Sequence, residues 1–193
     1  MLKKIKKNSE IKIHLGCGKI FIPSFIHIDI NKFKHVDYVS SADNLRMFKN
    51  NSVDLIYACH LMEYYSRDET PKLLKEWRRV LKKNGKLRIA VPNFENIIKV
   101  YKKYKNIDSR GILGPIYGRW KVKGKISEVF HKTAYDFKSI KKILLSNGFN
   151  NIRKYDSQKT DHSHIDDYSQ AFVPHMNKKT GILISLNVEC FKK

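Results

Sequence analysis

The stretch "KIHLGCGKIFIPSFIHIDI", residues 12–30, limits the possible folds more than any other part of the chain. Two short apolar runs flank a turn holding Gly16 and Gly18, and Asp29 closes the second run. A glycine turn after a strand lets backbone approach a ligand closely. An acid at the end of the next strand is placed to hold ribose hydroxyls. Together they specify a nucleoside-containing ligand at the carboxyl ends of the strands. The link between the two runs, residues 16–25, is short. A parallel crossover usually takes about a dozen residues or more. The first crossover helix is therefore expected to be cut to a turn.

The remaining pattern alternates strand and helix, which argues for an α/β fold with a mainly parallel sheet. Strands are expected at 11–15, 25–30, 36–39, 53–58, 86–91, 151–156 and 181–191. Ser66 and Glu69 have capping-box spacing and open a helix with an apolar stripe at Leu73, Leu74, Trp77, Val80 and Leu81. Asn84-Gly85 is expected to end that helix. A second helix follows Asn93 and is expected to bury Ile97, Ile98 and Tyr101. A third starts at Asp136, uses Ile140, Ile143, Leu144 and Leu145, and stops at Asn147-Gly148. Residues 106–128 and 157–181 fit neither period. They are read as irregular substrate-side segments of a single domain over 1–193.

Three nucleoside ligands compete for the opening stretch. A phosphate-binding P-loop needs GxxxxGK[ST], which the sequence lacks. A dinucleotide turn needs a third glycine where Phe21 stands, and its acid normally lies farther along than Asp29. S-adenosylmethionine has no phosphate. It requires a turn that admits its methionine end, an acid for the ribose and a pocket for adenine.

"HLGCG", "FIHIDI", "NNSVDLIYACHLMEY", "LLKEWRRVLKKNGKLRIAVPNF" and "FNNIRKYD" occur in that order. As a set they resemble the successive motifs of class I S-adenosylmethionine-dependent methyltransferases, in the small bacterial branch known as methyltransferase type 11-like. The resemblance covers roughly residues 10–156, and the tail "DDYSQAFVPHMNKKTGILISLNVE" is similar to that branch too. It implies a Rossmann-like sheet, mainly parallel with an antiparallel C-terminal strand and helices on both faces. It implies that Leu15, Gly16, Cys17 and Gly18 form the turn under the methionine moiety, with His14 just before it. Asp29 would hold the ribose, and Ile30 would lie against adenine. Asp43 with Asn44 would sit at the adenine edge, and Cys59 and His60 beside the sulfonium. The chain departs from the pattern in three places. His14 replaces an acid, Ile20 replaces a glycine, and Glu63-Tyr64 stands where the branch has glutamate-histidine.

A sulfonium is already electrophilic, so such an enzyme mainly aligns an acceptor and excludes water. A base is needed when the acceptor is a hydroxyl or a protonated amine, and histidine suits that task. His60 and His131 are the candidate catalytic residues. Tyr64, Tyr117, Trp120 and His164 are candidate substrate contacts. The "DHSHIDD" cluster, 161–167, matches no standard zinc spacing, so no metal is expected. The expected acceptor is a hydroxyl or amine of a small molecule or glycan precursor. An RNA methyltransferase and a catalytically inactive cofactor-binding partner subunit are the alternatives.

Charge bears on that choice. The formal net charge is +21, but the basic residues are 31 Lys and only 8 Arg. Lys, Asn and Ile, whose codons are AT-rich, fill 67 of 193 positions. Genome composition can thus produce the charge, and arginine, the better base reader and phosphate clamp, is scarce. Nucleic acid is therefore the less favoured partner. Three scattered cysteines, Cys17, Cys59 and Cys190, form no CxxC pair and are read as reduced thiols. No apolar run reaches the ~18 residues of a membrane span, and the basic start lacks a signal-peptide core. A soluble, cytoplasmic protein of unassigned oligomeric state is expected.

Overall fold

The computed structural model describes residues 10–108, 111–121, 128–175 and 177–193. Its main sheet is built from β1 (Lys12–Leu15), β2 (Ile26–Asp29), β3 (Tyr38–Val39), β4 (Val53–Cys59), β5 (Leu81–Pro92), β8 (Phe149–Lys154) and β11 (Ser185–Lys192). The strand order is β3-β2-β1-β4-β5-β11-β8. Neighbours from β3 to β5 pair in parallel, and β11 runs antiparallel to both β5 and β8. The order reverses beside β1, between β2 and β4. Open α/β sheets bind ligands outside the strand carboxyl ends at such a switch point.

Strand alternation decides what covers each face. Ile28, Leu15, Ala58, Ile89 and Val188 are in register across one face. There α1 (Thr70–Val80) and α4 (Phe137–Ser146) pack, burying Leu73, Leu74, Trp77, Val80, Ile140 and Leu144. Each such side chain contributes about 1.5–3 kcal/mol on burial. The Trp77 indole N–H also donates to the Ala42 carbonyl at 2.9 Å.

The opposite face carries His27, His14, Tyr57, Arg88, Glu189 and Arg153 in register. Here no long helix packs on the described strands. The turn 16–25 and the segment after β8, with its two short 3-10 turns, form the cover. The helical layer expected on this side is thus reduced, because the face is too polar for an apolar helix stripe. Its polar groups are paired instead. The Tyr57 hydroxyl donates to Asp167 at 2.5 Å, and Glu189 accepts from Arg88 and Arg153 at 3.2 and 2.7 Å.

The ten-residue link 16–25 joins parallel β1 and β2 without a helix, as its length predicts. The Ser66–Glu69 capping box forms in both directions, at 2.8 and 3.2 Å. The first helix ends earlier than Asn84-Gly85 would have it. Leu81 is extended and pairs with Val53, so β5 begins where a longer helix was expected. In α2 (Phe94–Tyr104), Ile97 and Val100 turn inward, whereas Ile98 and Tyr101 are exposed. The partner cluster of Ile112, Val173 and Ile184 selects that phase. Leu145 on α4 likewise faces out.

Residues 111–121 and 128–130 form α3 (Leu113–Tyr117) and a ribbon of β6 (Arg119–Lys121) with β7 (Glu128–Phe130). The final expected strand divides into β10 (Ile182–Leu183), paired with β9 (Phe172–Val173), and β11. No helix among the described residues is long and apolar enough to cross a membrane.

Candidate functional site

The glycine turn and Asp29 meet at the switch point. Gly16 and Gly18 take φ of +60° and +53°, the left-handed region that glycine enters without a Cβ clash. The Gly16 amide donates to the Ile28 carbonyl at 2.8 Å. The Gly18 amide donates to Asp29 Oδ2 at 2.9 Å, and the Asn31 amide to Oδ1 at 2.7 Å. Asp29 is only 6% exposed, yet each of its carboxylate oxygens has accepted a single bond and retains acceptor capacity. Ile30, just beyond it, is an exposed apolar surface. A vicinal diol with a flat apolar base beside it matches those two residues.

The other turn residues contribute less through their side chains. Leu15 is fully buried in the main core and offers only backbone to the turn. His14 packs among Phe25, His27 and Tyr57 on the second face, its Nδ1 buried without a partner. Its ring is thus part of the packing and is withdrawn from the turn's surface. Cys17 is buried, and desolvation first, then Asp29, pushes its thiol up to about 12. It stays protonated and is no nucleophile.

Asp43 and Asn44 lie after β3. Asp43 accepts from Ser41 at 2.5 Å and pairs with Lys72 at 3.7 Å. They border an open groove of about 540 Å³ whose other walls are Arg46, Lys72, Glu76 and Arg79. Glu76 there is committed to Arg79 and the Leu45 amide, which together hold its carboxyl below the usual range. That network braces the loop after β3, so the groove's chemistry differs from that at Asp29.

A second cluster follows β4. Cys59 ends the strand, and burial raises its thiol well above the ordinary value. His60 adopts φ +50°, held by its amide's bond to the Ala90 carbonyl at 2.8 Å. That turn aims the imidazole toward Glu63, with Nδ1 3.3 Å from Oε1. His131, which follows β7, brings Nε2 to 3.7 Å from the same oxygen. The two candidate bases are thus gathered around a carboxylate that is fully buried. Burial lowers the His131 pKa, against the opposing pull of Glu63.

The candidate substrate contacts divide. Tyr64 stands edge-on to His131 at 4.7 Å. Burial, with Glu63 second, raises its phenol to about 12. Tyr117 is exposed, and its carbonyl accepts from the His131 amide at 2.7 Å. The Trp120 backbone pairs with Val129, and its side chain falls outside the described part. His164 is exposed on the loop covering the second face. From that loop it is Tyr168, 65% exposed, that reaches His60, at 5.5 Å between rings.

Two residues here escaped the sequence reading. Glu63 had a usable signal, since it stands three positions after a histidine that directly follows a strand. Tyr168 had none, because a long-range loop closure brings it to His60.

A profile of a methyltransferase domain family matches residues 22–89. No curated protein sequence matches the chain. Solved structures match over nearly its whole length at low identity. A SAM-dependent methyltransferase from Archaeoglobus fulgidus is 16% identical with a TM-score of 0.57, covering 96% of this chain and 87% of that one. A Methanosarcina mazei protein described as a SAM-dependent methyltransferase is 16% identical with a TM-score of 0.55, covering 96% and 93%. The 1,6-didemethyltoxoflavin-N1-methyltransferase of Burkholderia thailandensis is 10% identical with a TM-score of 0.52, covering 95% and 71%.

Proposed function

We propose that the chain, whose residues 22–89 match a methyltransferase domain and whose fold is that of solved SAM-dependent methyltransferases, is a class I S-adenosylmethionine-dependent enzyme that methylates a hydroxyl or amine of a small molecule or glycan precursor. The donor supplies an electrophilic methyl group on a sulfonium. In this reading the chain's residues do the rest. The Gly16–Gly18 backbone borders the methionine end, Asp29 accepts from the ribose hydroxyls, and Ile30 covers the adenine. Asp43 and Asn44 line its outer edge.

Cys59 and His60 close the floor where β4 ends. His60 or His131 takes the proton that the acceptor loses, and Tyr64, Tyr117 and Tyr168 wall the approach. Trp120 and His164 serve as outer contacts. A small acceptor is supported by the Burkholderia structure of the same fold, which holds 1,6-didemethyltoxoflavin with S-adenosylhomocysteine.

One observation carries the cofactor assignment. The Asp29 carboxylate ties the end of β2 to the glycine turn while keeping acceptor capacity. Calorimetric titration with S-adenosylmethionine and S-adenosylhomocysteine tests it. Asp29→Ala is expected to weaken both by about 1–3 kcal/mol, the scale of a charged hydrogen bond lost. Equal affinity in the variant would remove Asp29 from the ribose.

A further inference from the structure

Glu63 is buried without any exposed surface, and neither carboxylate oxygen has a hydrogen-bond partner. A lone buried carboxylate costs several kcal/mol of desolvation, so this one requires a nearby proton or positive charge. Among the described residues its ion-pair neighbours are His60 and His131 alone. The other titratable groups facing it are Cys59, Tyr64 and Tyr135, and burial raises all three, which keeps them neutral. Lys132 approaches only through its amide, which donates to the Glu63 carbonyl, while its ammonium pairs with Glu69.

Hydrogen-bond chemistry then fixes where protons sit. His131 Nδ1 lies 3.0 Å from the Pro115 carbonyl, an oxygen that can only accept, so Nδ1 carries a proton. Nε2 of that ring therefore meets Glu63 Oε1 either as a lone pair or with a second proton. A lone pair against a carboxylate is repulsive. The same oxygen also faces His60 Nδ1, whose ring partner at Nε2, 3.3 Å away, is the Ser185 hydroxyl.

We propose that Glu63 is a positioning residue that shares one proton with His131 and accepts a second from His60 Nδ1–H, leaving His60 Nε2 as the atom that receives the acceptor's proton. The proposal rests on the methyl-transfer reading for its purpose, not for its geometry. In the reaction the acceptor O–H or N–H bond breaks as its bond to the methyl carbon forms. The carbon–sulfur bond breaks, its electron pair stays on sulfur, and the proton passes to His60 Nε2. Glu63 then stabilises the imidazolium. The backbone serves the same end: Lys132 N–H to Glu63 C=O, at 2.8 Å, docks the α3–ribbon segment on the turn after β4, and His131 N–H to Tyr117 C=O, at 2.7 Å, closes that segment on itself.

The test is a nitrogen-15 NMR titration of the imidazoles in the full chain, with and without S-adenosylhomocysteine. In the wild type, His131 Nε2 is expected to share a proton with Glu63 near neutral pH, and neutral His60 to carry its proton on Nδ1. Glu63→Gln, close in shape, is expected to lower the proton affinity of His131 by about tenfold or more and to release the His60 proton from its preference for Nδ1. A packing role would leave the titration unmoved. A wild-type His131 with bare Nε2 beside a His60 protonated on Nε2 overturns the proposal without any variant. An unchanged His131 midpoint in Glu63→Gln overturns it as well. S-adenosylhomocysteine affinity, measured on the same samples, separates the two ideas: loss of binding in the wild type refutes methyl transfer, while the ring titrations still judge Glu63.

Discussion

Gly118 determines where His131 can sit. Its φ is +43°, and a Cβ there would lie 2.0 Å from His131 Nε2. Gly118→Ala must therefore adopt a left-handed backbone, costing about 1–2 kcal/mol, and also push the imidazole away from Glu63. We expect lower stability in urea and a displaced His131 ring resonance. An alanine variant with wild-type stability and ring shifts would show that the ring is not held there. His60 is a second strained residue, a non-glycine at φ +50°. Such positions cost about 1–3 kcal/mol and persist where surrounding structure holds them. Here the holding contact is the bond to Ala90, and the result is an imidazole aimed at Glu63 rather than along the strand.

Elements account for how the two faces differ. The second face is closed by a loop whose anchor is Asp167. It accepts from the Tyr57 hydroxyl and from the Ser169 amide and hydroxyl, at 2.5, 2.9 and 2.5 Å. Tyr57→Phe leaves a buried carboxylate oxygen without that partner. It is expected to cost about 1–3 kcal/mol, and to speed proteolysis within 157–170. Unfolding in urea with limited proteolysis checks this, and an unaltered cleavage rate would mean the loop is anchored elsewhere. Much of the sheet was legible in advance. The glycine turn, Asp29, the short first link and the antiparallel last strand all stand where the motifs put them. The expectation of helices on both faces passed over the alternation I-H-L, H-I-D and L-R-I-A, which places polar side chains on one face, whereas strands buried on both faces by helices read as continuous apolar runs. Two other features were not legible. The phase of α2 depends on Val173 and Ile184, far along the chain, and the end of α1 depends on Leu81 pairing with Val53.

The whole molecule carries its histidines and its charge to different effects. Burial lowers the pKa of His14, with His27, His162 and His35 adding to it, and burial also lowers that of His162. A depressed folded pKa means that the unfolded chain binds protons first as pH falls. Stability is then complete above about pH 6.5, the free-histidine value, and declines below it. Urea unfolding at pH 7.5 and 5.5 should give the lower stability at 5.5, and equal values would contradict neutral burial of these rings. The net charge of +21 predicts weak RNA association that fades steeply between about 50 and 200 mM salt. Gel-shift titration checks it, and binding that survives the higher salt would favour an RNA acceptor.

The most direct measurement is a crystal structure of the protein soaked or grown with S-adenosylhomocysteine. The ribose hydroxyls should lie within hydrogen-bonding distance of Asp29, with the adenine against Ile30 and the sulfur beside His60. A nucleoside bound away from Asp29, or density for it in the charged groove lined by Glu76 and Arg79, would contradict the assignment of this site.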